Sequence, residues 1–144
     1  MKIGLLRGLK DIKENISFNL ETPISEIAAV IKEKSIGAVP IIDDQNKLIG
    51  IVSERDIVTK MVVEARDADL TTAQEIMTKE IISANLDDDL EQTIGVMKSK
   101  NIRHMPVTDS DGKLTDFFSI RDFLNAEIKS NQQVSRKHKN VVKY

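Results

Sequence analysis

The chain has 144 residues, 40% of them hydrophobic, and its 21 basic and 23 acidic side chains leave a formal net charge of -2. That length suits one ordinary domain or two very small ones sharing a core, and the balanced charge excludes a global field able to gather nucleic acid or an anionic membrane. The absence of cysteine excludes a disulfide framework, a cysteine nucleophile and thiolate metal sites. The first fifteen residues lack the apolar core of a signal peptide and no run approaches a membrane span, so a soluble, cytoplasmic protein is expected.

In chain order, an N-terminal segment (1–15) precedes a short strand over 15–18. A helix start follows at Thr22 as N-cap, with Pro23 at the first helical position. Ile24, Ile27, Ala28 and Ile31 then recur at the helical period. Strands over 38–42 and 48–52 flank the polar turn Asp43-Asp44-Gln45-Asn46 and form a hairpin. A second helix opens after Ser53 and carries Ile57, Val58, Met61 and Val62. Residues 64–72 read as a linker.

The same order then repeats. Residues 16–58 lie over 82–124 without a gap, with identities that include Ile16/Ile82, Ser17/Ser83, Asn19/Asn85, Pro40/Pro106, Ser53/Ser119, Arg55/Arg121 and Asp56/Asp122. Coincidence would not hold register through helices and turns alike. The second copy has a strand over 81–84, cap signals at Asp87 and Asp88, and a stripe of Leu90, Ile94 and Met97. Its hairpin, 104–108 with 114–118, turns at Asp109-Ser110-Asp111-Gly112, and its last helix follows Ser119. The fold class is therefore mixed α+β: two β-α-β-β-α units, 16–63 and 73–129, packed about a pseudo-two-fold axis because neither buries enough surface alone. The basic stretch 130–144, with Arg136, Lys137, His138 and Lys139, is expected to be a solvated, flexible tail.

The motif Gly50-x-x-Ser53-x-x-Asp56 ends a strand at a helix start, where a hydroxyl, free amides and the helix dipole suit a phosphate. The carboxylate one turn on can accept two hydrogen bonds from a ribose diol, and Arg55 adds a phosphate fork. Ser-x-x-Asp is equally a capping box. Its recurrence as Ser119-x-Arg121-Asp122 favours nucleotide binding, and the two readings coexist, since a cap can exchange partners when a ligand arrives. Pro40 and Pro106 stand at matched strand positions where a missing donor can leave neighbouring carbonyls free for adenine. Ile16, Ile82, Val39 and Met105 offer apolar walls, although core packing explains those four equally well.

The segments Gly37-Ala38-Val39-Pro40-Ile41-Ile42-Asp43, Gly50 to Asp56, Ile102-Arg103-His104-Met105-Pro106-Val107 and Ser119-Ile120-Arg121-Asp122 closely resemble the cystathionine-β-synthase (CBS) domain, present as a tandem pair or Bateman module. In particular the chain is similar to stand-alone bacterial pairs of the signal-transduction type. The resemblance implies a non-catalytic regulatory module holding AMP, ADP, ATP or NAD, and less readily S-adenosylmethionine, in the cleft between the repeats. It also implies that the basic pair Arg103 and His104 points at the phosphates, where copy one has the small pair Gly37 and Ala38; His104 then adds pH sensitivity. Copy two departs from the pattern. Asp116 replaces the glycine, and Phe117 and Phe118 replace Ile51 and Val52, so a carboxylate and two rings threaten to alter or empty one of the two sites.

No Gly-x-Ser-x-Gly, Walker loop, Gly-x-Gly-x-x-Gly or His-Glu-x-x-His motif is present, which argues against an enzyme, and no catalytic cofactor or metal is expected. A ligand-free dimerisation adaptor is the alternative. Nucleic acid and membrane partners are not expected; a regulated protein is, its identity unknown. Ile57, Val58, Met61, Val62 and Val63, with Phe123, Leu124 and Ile128, form a surplus of apolar surface on the second helices and predict a homodimer through them.

Overall fold

The computed structural model describes residues 1–8 and 16–142, with side chains through Gln132. A short 3-10 helix, Ile3–Gly8, precedes copy one, which comprises α1 (Ile24–Lys34), β1 (Ala38–Ile42), β2 (Leu48–Ser53) and α2 (Glu54–Asp56). The chain continues from α2 as a π-helical stretch, Ile57–Val62. A one-turn helix, α3 (Ala73–Ile76), leads into copy two: α4 (Leu90–Lys100), β3 (His104–Thr108), β4 (Leu114–Ser119) and α5 (Ile120–Val142).

The two hairpins are built alike from like residues. β1 pairs antiparallel with β2 and β3 with β4, and each register slips at the matching place, Ile41/Ile42 and Val107/Thr108. In the turns, the Asp43 carboxylate accepts from the amides of Gln45 and Lys47, as Asp109 does from Asp111 and Lys113. Asn46 and Gly112 complete the turns with φ of 64° and 79°, a left-handed conformation that these two residue types tolerate best.

Between copies, the Leu48 amide donates to the Gly112 carbonyl at 3.1 Å and the Leu114 amide to that of Asn46 at 2.9 Å. Lys47 thereby pairs with Lys113, its own counterpart. A position that pairs with its repeat equivalent lies on a two-fold axis, so the pseudo-two-fold passes between these lysines.

Several local expectations change. The first strand of each copy contracts to a single parallel pairing, Phe18 with Ile41 and Ala84 with Val107; the expected strand start at Asn15 lies outside the described residues. Pro23, not Thr22, is the N-cap of α1, without a side-chain bond, because the Thr22 hydroxyl donates to Asn19 Oδ1 instead. In copy two the cap is Asp89, whose carboxylate accepts from the Gln92 amide at 3.0 Å, while Asp88 closes the preceding turn on the Asn85 amide. In place of the flexible tail expected from residue 130, the backbone of α5 continues as helix to Val142. Met61 (4% exposed) and Phe123 (0%) belong to the cores, not to the apolar surface; Val58, Val62, Val63 and Ile128 remain on it.

The cores show a crossing that the repeat alone does not reveal. Copy one packs Ile24, Ile27, Val39 and Val52 against Ala73, Ile76 and Met77, residues that lead into copy two. Copy two packs Leu90, Met97, Phe118 and Phe123 against Ile3 and Leu6, which lead into copy one. The backbone bonds match pair for pair. Ala73 and Gln74 donate to Thr22 and Leu20 as Ile3 and Gly4 donate to Asp88 and Leu86. Each lead-in segment thus completes the other copy's core.

Candidate functional site

Between the copies lies a cleft of about 620 Å³, lined by Ile16, Ser35, Ile36, Gly37, Ala38 and Glu54 from copy one and by Arg103, His104, Phe117, Ser119, Ile120, Arg121 and Asp122 from copy two. Eight of the residues singled out in the sequence meet here: Ile16, Gly37, Ala38, Arg103, His104, Ser119, Arg121 and Asp122. The other eight do not line it. Val39 and Met105 are core residues, 0% and 1% exposed, the alternative their apolar character left open, and Pro40 and Pro106 are buried between strands. Ile82, Ser53, Arg55 and Asp56 also lie outside it.

The two Ser-x-x-Asp motifs form the same reciprocal cap. The Asp56 amide donates to Ser53 Oγ and the Ser53 amide to Asp56 Oδ2; Asp122 and Ser119 repeat both bonds at 3.1 and 2.8 Å. The carboxylates differ in what else they hold. Asp56 Oδ1 accepts from the Thr78 hydroxyl at 3.0 Å and pairs with the Lys60 ammonium at 3.0 Å. Among the described residues nothing is bonded to Asp122 Oδ1, and Asp122 belongs to the lining of the cleft.

His104 faces Phe117 in a parallel stack, with ring centroids 5.7 Å apart. A Cβ on Gly37 would stand 3.1 Å from the His104 Cε1, so the missing side chain in copy one makes room for the imidazole of copy two. Burial pushes the His104 pKa below its ordinary 6.5; the Asp122 carboxylate opposes this and the Arg103 charge adds to it. Arg103 and Arg121 are exposed at the rim, and Glu54 is the second carboxylate of the lining.

The prolines act on the strand pairing. Each carbonyl of Pro40 and Pro106 is taken by the amide of Phe18 or Ala84, but neither proline has an N–H to return to the preceding strand. In copy one the acceptor left without that donor is the carbonyl of Ile16, at the wall of the cleft.

Asp116 does not enter the cleft. It is buried and accepts two bonds from Arg7, at 2.9 and 2.6 Å, so its charge is neutralised by the N-terminal segment. Of the two rings, Phe118 is core, tilted against Phe123 at 5.3 Å, and only Phe117 narrows the cleft. Ser35, Ile36, Glu54, Phe117 and Ile120 were not singled out as site residues. Glu54 and Ile120 are counterparts in the repeat, each following the motif serine, and that symmetry is the signal that points to them.

Residues 9–63 and 73–129 match the family profile of the CBS domain. A protein from Methanopyrus kandleri is 34% identical over 71% of this chain and 52% of its own length; one from Acidianus ambivalens is 36% identical over 72% and 61%. The chain thus spans about half to three-fifths of these relatives. Among solved structures, a Burkholderia ambifaria protein with CBS domains is 26% identical, with a TM-score of 0.78 over 90% of this chain and 95% of its own. Two more share the fold at lower identity. A CBS domain pair in complex with 5′-methylthioadenosine and S-adenosyl-L-methionine is 23% identical with a TM-score of 0.76 over 90% of this chain and 98% of its own. A protein in complex with AMP is 20% identical with a TM-score of 0.75 over the same shares.

Proposed function

Since the chain belongs to the CBS-domain family, as a tandem pair of its repeats, we propose that it is a non-catalytic sensor whose inter-repeat cleft binds an adenine nucleotide and signals its presence to a regulated protein. The observation that carries this reading is the Asp122 carboxylate in the lining of the cleft, fixed by Ser119 through one oxygen and without a bond at the other among the described residues, beside two arginines. Asp122 Oδ1 accepts from the ribose diol. The Ile16 carbonyl accepts from the adenine amine while the side chains of Ile16 and Ile36 flank the base. Arg103 and Arg121 take the 5′ phosphate, which the helix start after Ser119 also favours.

The ligands of the two solved relatives share an adenosine core and differ at the 5′ position: a phosphate in AMP, a sulfonium in S-adenosylmethionine. Two arginines at the rim favour the anion, so AMP, ADP, ATP or NAD is read as the ligand ahead of the sulfonium compound. Melting curves with these compounds, 5′-methylthioadenosine and guanine nucleotides test the reading. A ligand bound only by the folded state raises Tm in proportion to ln(1 + [L]/Kd). Adenine nucleotides should raise it more than guanine nucleotides; no shift with any adenosyl compound at millimolar concentration leaves the ligand-free adaptor.

The exposed Val58, Val62 and Val63 (56, 70 and 75%), with Ile128 (53%), favour a homodimer formed through the second helices. Light scattering should give roughly twice the 16.2 kDa chain mass. Val62→Glu should lower it, and a wild-type monomer at tens of micromolar would overturn the dimer.

A further inference from the structure

We propose that each chain binds a single nucleotide, at Asp122, because copy one carries its own permanent occupant of the equivalent position, the ammonium of Lys60. The inference rests on the nucleotide reading above and adds which motif works and what silences the other. Repeat equivalence makes Asp56 and Asp122 the same residue, held by the same serine cap. The difference lies in two neighbours. Lys60, one turn after Asp56, has its ammonium 3.0 Å from Asp56 Oδ1 and donates to the Ile76 carbonyl at 2.8 Å. The repeat counterpart of Lys60 is Ala126, which has nothing to donate. The Thr78 hydroxyl also donates to Asp56, at 3.0 Å, and the matched bonds of the two lead-in segments make Gly8 its counterpart. Copy two thus lacks both donors.

A ribose diol arriving at Asp56 would have to displace a charge-assisted bond on a carboxylate only 9% exposed, and would leave the ammonium unpaired. At Asp122 it meets an oxygen with no partner to displace among the described residues. The His104 ring also lies over Gly37, on the side where copy one would have to admit a ligand.

Calorimetric titration of the full chain with AMP, the probe here, should give one site per chain. Asp122→Asn should reduce affinity at least tenfold, whereas Asp56→Asn should keep one site at near wild-type affinity. Lys60→Met with Thr78→Ala removes both internal donors while preserving the apolar stem of Lys60, and should add a second, weaker binding event. Two sites in the wild type, binding lost in Asp56→Asn but kept in Asp122→Asn, or no second event in the double variant would each overturn the proposal. A ligand-free measurement separates this failure from failure of the nucleotide reading. With no nucleotide present, Asp56→Asn should lower Tm by roughly 5 °C or more, because it strands Lys60, and Asp122→Asn should lower it less. Equal drops would overturn the Lys60 lock even if AMP binds; unequal drops with no AMP binding would sink only the nucleotide reading.

Discussion

At one equivalent place in the two copies, the fold solves the same packing problem with opposite chemistry. In copy one the Met77 side chain lies across Gly50, where an added Cβ would stand 2.8 Å from Met77 Cγ and 3.1 Å from its Cβ. In copy two the counterpart of Gly50 is Asp116, and the lead-in segment offers Arg7 where the other offers Met77. Thioether over glycine has become guanidinium on carboxylate. Both contacts pin a lead-in segment to the copy it does not precede. A residue that departs from its repeat counterpart is thus explained by a second departure far away in sequence, and the cleft between them is left untouched.

Exchanging the chemistry on one side only should break that equivalence most severely. Gly50→Asp places a carboxylate under Met77 with no cation and no space, and should cost about 4 kcal/mol. Adding Met77→Arg, which copies the pair of copy two, should recover a measurable part of that loss. Urea unfolding of both single variants and the double variant yields the coupling energy. Strict additivity would show that the two places are not interchangeable. The converse change is gentler because Arg7 is half exposed: Arg7→Met leaves Asp116 buried without its partner and should cost about 2 kcal/mol. Asp116→Asn in the Arg7→Met background should restore stability. If Arg7→Met alone is neutral, the N-terminal segment is not held by this ion pair.

Most of the architecture was legible because it is written in local signals that occur twice. The turn aspartates, the positive-φ Asn46 and Gly112, the alternating strands and the serine caps each act through neighbours within a few residues. The crossing of the lead-in segments was not legible. Its register is shifted by four residues relative to the repeat, since Ala73 matches Ile3 while Thr22 matches Asp88. A gap-free self-alignment therefore ends at Ile16. For the same reason Asp116 read as a threat to a phosphate: its partner Arg7 lies outside the aligned region. At the site, residue types identified the Ser-x-x-Asp carboxylates, and Lys60 against its counterpart Ala126 is a local difference one turn past the motif, but the second donor to Asp56, Thr78, arrives from the lead-in segment of copy two, which the motif does not reveal.

The smallest expected effect comes from His104, where copy two places a titrating ring over the glycine of copy one. Its pKa is held below 6.5 chiefly by burial, with Arg103 adding to the shift and Asp122 opposing it, so the ring is neutral at pH 7 in the free protein. An unfolded chain takes up a proton at this residue near 6.5 and the folded chain only at lower pH. The stability contributed is therefore complete above about 6.5 and is lost as pH falls through the window below it. A phosphate bound beside the ring has the opposite influence, raising the pKa and drawing in a proton. AMP affinity should therefore gain roughly threefold more between pH 7.5 and 6 in the wild type than in His104→Gln. The phosphate's own second ionisation, near pH 6, is common to both proteins and cancels in the comparison. Adenosine, lacking the phosphate, should show no such difference. Calorimetry of AMP binding in two buffers of different ionisation enthalpy should register net proton uptake by the wild type that His104→Gln lacks. Equal uptake in the two proteins would place the titrating group elsewhere and remove His104 from contact with the phosphate.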